Sequence, residues 1–216
     1  MDTVSLRRQV AEANHMLPKT GLVTMHSGNA SGLDRETGVL YIKPSGMDYE
    51  QITPENLVAV DLNSGQVLDS NLRPSVDLPH HLYIYRHLPE VRSVIHTHSN
   101  YATAFAALNR PIPLVLTAIA DEFGEEIPCA PYIDNEGEHI GEAILKYRNG
   151  SPAILLGNHG VFAWGNSPRS ALKAAVMVED VAKTVHLAMQ LGTPLEIPVH
   201  EAKKWFDRYH NRYGQS

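Results

Sequence analysis

Residues 94–100, VIHTHSN, close an apolar run with two histidines one residue apart. In extended backbone alternate side chains share a face, so His96 and His98 project together while Thr97 points away. Two neighbouring imidazoles are half of a catalytic zinc site, which takes about three protein ligands at about 2 Å and keeps one position open. A third nitrogen is offered by His159 in AILLGNHGVFAWG, where it sits between Gly157 and Gly160 at the end of a second apolar strand. Asp77, in RPSVDLPHH, is the best-placed carboxylate. His80 and His81 compete for the third place, but adjacent residues on a helix diverge by about 100° and cannot both serve. They read as surface residues. A lone His-x-His pair arises often by chance; its coincidence with a second histidine at a strand end is what points to a metal.

The elements that must hold these groups follow from apolar spacing. Leu6, Val10, Ala13 and Leu17 recur at helical intervals behind Thr3, an acceptable N-cap. VLYIKPSG reads as a strand running into a turn. NLVAVDLNSGQVL reads as a hairpin turning at Asn63, Ser64 and Gly65, with the glycine where a positive φ is needed. A short helix covers 78–88 and stops before Pro89, and VRSVI then delivers the histidine pair. The longest helical pattern follows Asn166 and Ser167, with Pro168 in its first turn and Gly192 to end it. Strands and helices alternate, which predicts an α/β fold with a mixed sheet, and no linker or repeat divides residues 1–216, so one domain is expected.

Composition narrows the function. With 18 basic and 24 acidic residues, a net charge of −6 and no basic cluster longer than a pair, no nucleic-acid partner is expected. No 20-residue apolar run, export signal or lipidation motif is visible, so no membrane association and a cytoplasmic location are expected. The single Cys129 cannot form an internal disulfide and reads as a buried, inert thiol. Most of the 12 histidines lie in polar stretches such as HHLYIYRH and read as solvated.

With LVTMHSGNASGLD, YIKPSGMDY, RPSVDLPHH, VIHTHS, GNHGVFAWG and a terminal YGQ in this order, the chain resembles the class II aldolase and L-ribulose-5-phosphate 4-epimerase family over nearly its whole length. The resemblance implies a central mixed, largely antiparallel β-sheet flanked by α-helices in three layers, and a homotetramer with active sites between subunits. It implies zinc, or manganese or cobalt in its place, at His96, His98 and His159, with Asp77 as a fourth ligand that substrate displaces. It also implies a phosphate cradle at Gly28, Asn29, Lys43, Ser45, Gly46 and Ser75, a set whose Lys charge, hydroxyls and turn N–H groups suit an anion. One position departs from the pattern: Val76 follows Ser75 where the epimerases carry a second serine.

The family's two activities share one bond cleavage. C4 of a 2-ketopentose 5-phosphate is β to the carbonyl, so its hydrogen is not acidic and inversion requires breaking the C3–C4 bond. Lewis-acid stabilisation of the enediolate fragment allows this. Rotation and re-addition of the aldehyde make an epimerase; its departure makes an aldolase. By resemblance, proton transfer at the aldehyde falls to Asp121 in AIADEFG and Tyr213 in RYGQ. HTHS, Asp77, Asp121 and YGQ look like the epimerases. The spacing of His98 and His159 and the segment IPCAPYIDNEGEHIGEAI look like the fuculose-phosphate aldolases. The sequence leans to the epimerase, with the aldolase as alternative and, from another class, a non-catalytic adducin-head-like module, which lacks the zinc histidines.

Overall fold

The computed structural model of the chain describes residues 2–68 and 70–212. Helix α1 (Thr3–Lys19) buries Leu6, Val10, Ala13 and Leu17 along one stripe, as their spacing predicts. Its cap is Asp2 and not Thr3: the Asp2 carboxylate accepts the Ser5 N–H at 2.9 Å, while the Thr3 hydroxyl turns aside to donate to Asp34.

Seven strands form one sheet in the order β3-β2-β1-β4-β7-β6-β5. They are β1 (Asn29–Asp34), β2 (Val39–Ile42), β3 (Val58–Asp61), β4 (Ser93–Thr97), β5 (Cys129–Ala130), β6 (Ala153–Leu156) and β7 (Gly160–Gly165). Only β5 and β6 run parallel, so the sheet is mixed and largely antiparallel. The expected hairpin over 57–68 is shorter than its pattern: β3 returns through a single bridge, Val60 to Val67, around Gly65 at φ +71°.

Period-2 alternation sorts the strand residues between two cores. Ala30, Tyr41, Ile95, Leu155, Val161 and Ala163 face α1, α3 (Asn100–Ala107), α4 (Thr117–Phe123) and α6 (Pro168–Leu191). Leu40, Ile42, Val94, Ile154, Phe162 and Trp164 face α2 (Leu78–His87) and α5 (His139–Tyr147). The result is three layers, with α7 (Val199–Arg212) packed on α4 at the rim. Helix α6 starts at the predicted place, with Ser167 and Ser170 in a reciprocal cap, and ends at Gly192.

The polar look of HHLYIYRH misleads. His80 and His81 are buried, because both fall on the side of α2 that meets the sheet, where each presents an edge to the Phe162 ring. Cys129 is half-buried, and burial pushes its thiol up to about 11, so it stays protonated and inert at neutral pH. Among the described residues no helix is long and apolar enough to cross a membrane.

Candidate metal centre

The sheet register builds the site. Asn29 on β1 lies directly opposite His96 on β4, and His96 lies opposite Phe162 on β7. His96 therefore points to the α2 side, stacked on Phe162 with ring centroids 4.4 Å apart. His98 falls just past the end of β4, yet the alternation continues far enough to bring its Nε2 to 2.9 Å from Nε2 of His96. His159 arrives from the β6–β7 turn. That turn is pinned by three backbone bonds: Gly157 N–H to Ala130 O, Asn158 N–H to Ala106 O and His159 N–H to Leu156 O. One nitrogen from each of His96, His98 and His159 falls within 4.8 Å of the others.

Close approach of the triad depends on Gly160. A Cβ there would strike the Thr97 carbonyl oxygen and lie 2.8 Å from Cδ2 of His98, so any larger residue would push β7 off the histidine pair.

The donor set suits a divalent cation. His96 Nδ1 stands 2.9 Å from the Val161 carbonyl, which can only accept, so the ring proton sits on Nδ1 and the Nε2 lone pair is free. Burial drives the His96 pKa down, which keeps that lone pair available at neutral pH. Two imidazole Nε2 atoms facing each other at 2.9 Å are close to the ~3.3 Å that bonds of about 2.0–2.1 Å impose on neighbouring ligands of a tetrahedral ion.

Asp77, the expected fourth ligand, lines the same cavity as these histidines but is not among the three groups whose ligand atoms converge. It occupies the N-cap position of α2 but makes no capping bond with its side chain. Its Oδ2 instead accepts from Asn29 Nδ2 at 2.6 Å and lies 3.4 Å from the Ser75 hydroxyl. Burial alone would raise the Asp77 carboxyl, but His96, His81, the Asn29 hydrogen bond and His80 outweigh it and hold the group below the usual carboxylate range.

The expected anion cradle adjoins these candidate ligands. A bridge between Pro44 and Pro74, with Ser45 N–H to Arg73 O and Ser75 N–H to Lys43 O, zips the KPSG and RPSV turns together. Lys43 is 2% exposed and forms no ion pair among the described residues; its Nζ has a long contact, 3.4 Å to Pro44 O, and lies over the Tyr49 ring. Burial lowers the Lys43 pKa, and Asp48 and Asp77 pull it back. A buried ammonium is stabilised by pairing with an anion. Gly28, Asn29, Lys43, Ser45, Gly46, Ser75, Asp77, His96, His98 and His159 all line one cavity of about 220 Å³.

Asp121 does not line that cavity. It lines another of about 300 Å³ with Thr117, Trp205, Arg208 and Tyr209, between α4 and α7. Tyr213 lies outside the described residues. His26, Ser27 and Asn135 also line the metal cavity and escaped the sequence reading, as did Tyr49; exposed Val76, noted there for its departure, lines it too. The Tyr49 hydroxyl reaches the carbonyls of Ser27 and Gly28 at 2.7 and 2.8 Å and so fixes the cradle's first turn. Tyr49 ends the YIKPSGMDY motif, which is the signal that could have found it.

The three-layer fold and a histidine triad able to hold a metal ion are the features that place the chain in a class. Residues 8–186 match the Class II Aldolase and Adducin N-terminal domain, and the chain belongs to this family. Among solved structures it is similar to an L-fuculose 1-phosphate aldolase, with 28% identity and a TM-score of 0.86 over 95% of this chain and 96% of that one. The L-fuculose 1-phosphate aldolase from Glaciozyma antarctica is 24% identical, with a TM-score of 0.80 over 95% of this chain and 81% of that one. The l-fuculose-1-phosphate aldolase from Thermus thermophilus is 22% identical, with a TM-score of 0.71 over 88% of this chain and 98% of that one. The last two share the fold.

Proposed function

We propose that this protein is a metal-dependent sugar-phosphate 4-epimerase that interconverts L-ribulose 5-phosphate and D-xylulose 5-phosphate by breaking and remaking the C3–C4 bond. The observation that carries the reading is one cavity lined by two kinds of group: three converging imidazoles beside a carboxylate, and a buried ammonium that forms no ion pair among the described residues. A ketose phosphate has the matching ends, a vicinal carbonyl and hydroxyl near one terminus and a dianion at the other.

Zinc, manganese or cobalt held by His96, His98, His159 and Asp77 would supply Lewis-acid stabilisation of the electron pair released at C3. The protein's own residues do the rest. Lys43, Ser45, Ser75 and the N–H groups around Gly28 and Gly46 hold the phosphate, with Asn29 between phosphate and carboxylate. Asp77 yields its place to the incoming substrate oxygens. Asp121 and Tyr213 handle the proton on the C4 oxygen, taking it as the bond breaks and returning it after the aldehyde has turned over. Asp121 lies against α7, the helix that ends at Arg212, one residue before Tyr213. In a homotetramer a neighbouring copy brings this pair to the metal cavity.

A second reading has its own observation. The likeness to an L-fuculose 1-phosphate aldolase, 28% identical over 95% of this chain, favours cleavage with release of the aldehyde. One experiment separates the two: metal-loaded protein is incubated with L-ribulose 5-phosphate and, separately, with L-fuculose 1-phosphate. The epimerase reading predicts D-xylulose 5-phosphate from the first and no free aldehyde from the second. Dihydroxyacetone phosphate and an aldehyde from the second would install the aldolase. A chain that binds no divalent ion and turns over neither sugar would be an adducin-head-like binding module.

A further inference from the structure

Behind the metal cavity runs a buried polar chain that the chemistry above does not use. Ser31 on β1 and His81 and Tyr85 on α2 are each 0% exposed. Ser31 Oγ stands 2.7 Å from His81 Nδ1 and 2.7 Å from Tyr85 Oη. His81 and Tyr85 share a face of α2 because they are four residues apart. Ser31 meets them because it lies two residues along β1 from Asn29 and points to the same side. The far side of the ring is also constrained, since His81 sets its edge against Phe162, the ring on which His96 stacks.

His81 Nε2 is the loose end. It is buried and has no hydrogen-bond partner among the described residues. A buried polar atom left in this state is costly and calls for a use. Asp77, one helical turn before His81, is the ionised group that acts on the ring most strongly. A carboxylate only accepts, so its charge favours a proton on Nε2 over a lone pair there. The Ser31 hydroxyl has one proton, and giving it to Nδ1 selects that same tautomer. Burial drives the His81 pKa down to about 3, so the ring is neutral and holds one proton.

We propose that His81 is a positioning residue for Asp77: Ser31 and Tyr85 fix its ring with the proton on Nε2, and this N–H receives the carboxylate when incoming substrate oxygens displace it. Asn29 holds one oxygen of Asp77 at 2.6 Å, and His81 takes the other in the displaced position. The inference rests on the reading of Asp77 as a displaceable member of the metal centre. It makes His81 specific to turnover, whereas a packing role would make it specific to stability.

Two substitutions separate these roles. In His81→Gln the side-chain amide nitrogen can occupy the place of Nε2, and in His81→Asn it reaches only the place of Nδ1. Wild type and variants are compared by melting temperature without metal, Co2+ affinity and visible spectrum, and kcat and KM for L-ribulose 5-phosphate. Wild type is expected to bind one Co2+ per chain. His81→Asn should lower kcat by about 10–100-fold with KM little changed and should shift the Co2+ spectrum. His81→Gln should recover most of the kcat, and the two metal-free melting temperatures should agree. Ser31→Ala, which keeps the ring but frees its tautomer, should fall between wild type and His81→Asn, and it carries the test if His81→Asn does not fold. Equal impairment of the Gln and Asn variants, losses that follow melting temperature alone, or an unaltered kcat in Ser31→Ala would overturn the inference. A wild-type chain that binds no Co2+ would remove the metal reading itself, a failure distinct from these.

Discussion

The metal cavity and the Asp121 cavity are built by opposite means. Every metal-site histidine is fixed by the sheet: His96 by its stack on Phe162 and its bond to Val161, His98 by strand alternation, His159 by a turn pinned at three backbone positions. Asp121 instead sits on a seven-residue helix at the rim, facing α7, which buries only Ala202 among its described side chains. The contrast matches two physical tasks. A cation needs ligand atoms held to tenths of an ångström, which cross-strand register provides. On the proposed function, a proton donor for the aldehyde needs only to reach the cavity when substrate is bound, a task a peripheral helix can serve.

Breaking the rigid half should cost most. His96→Asn removes a ligand and its Val161 anchor together, and activity should fall by more than the roughly 10–100-fold typical of outer-shell losses. Metal analysis should show the ion gone; full retention with the ion unmoved would break the assignment. On the peripheral side, Asp121→Asn should slow epimerisation by about 10²–10⁴-fold while metal content stays at wild-type level. C3–C4 cleavage, followed by trapping the aldehyde, should be less affected, and equal loss in both would remove Asp121 from the aldehyde. Lys43→Ala tests the cradle: KM for phosphorylated ketoses should rise by roughly 10–100-fold, the worth of a charge-assisted hydrogen bond, with free sugars unaffected.

The smallest effect is on stability. His81 is held neutral in the fold with a pKa pushed down to about 3, against an ordinary value of about 6.5 when unfolded. The unfolded chain therefore takes up the proton first as pH falls. Stability from this group is complete above pH ~6.5 and is lost below it, by up to about 1.4 kcal/mol per pH unit. Urea midpoints of the metal-free protein should drop between pH 7 and pH 5, and the drop should shrink in His81→Gln. An equal drop in that variant would show that His81 is not the source.

What the sequence disclosed and what it hid divide along the same line. His96, His98 and His159 were legible because period-2 spacing and a Gly-bracketed turn are local signals, and the three-layer sheet followed from the alternation of elements. His80 and His81 were not, since a helix's buried side is set by what packs on it, and the polar neighbours of α2 gave the opposite impression. Asp2 displaced Thr3 as the cap of α1 because Thr3 found a partner 31 residues away in Asp34, a contact no local pattern contains. Asn135 and His26 were hidden for a like reason: each lies in a segment the resemblance singled out, yet nothing in the spacing says which of its side chains turns toward the cavity.

The central claim is that one divalent ion sits between the three imidazoles, beside Asp77. Anomalous diffraction from crystals grown with Zn2+ or Co2+ tests it most directly. The account predicts a single strong peak per chain within about 2.0–2.2 Å of nitrogens from His96, His98 and His159, with Asp77 as the nearest carboxylate. A peak ligated by other residues, or none between these histidines at saturating metal, would contradict it.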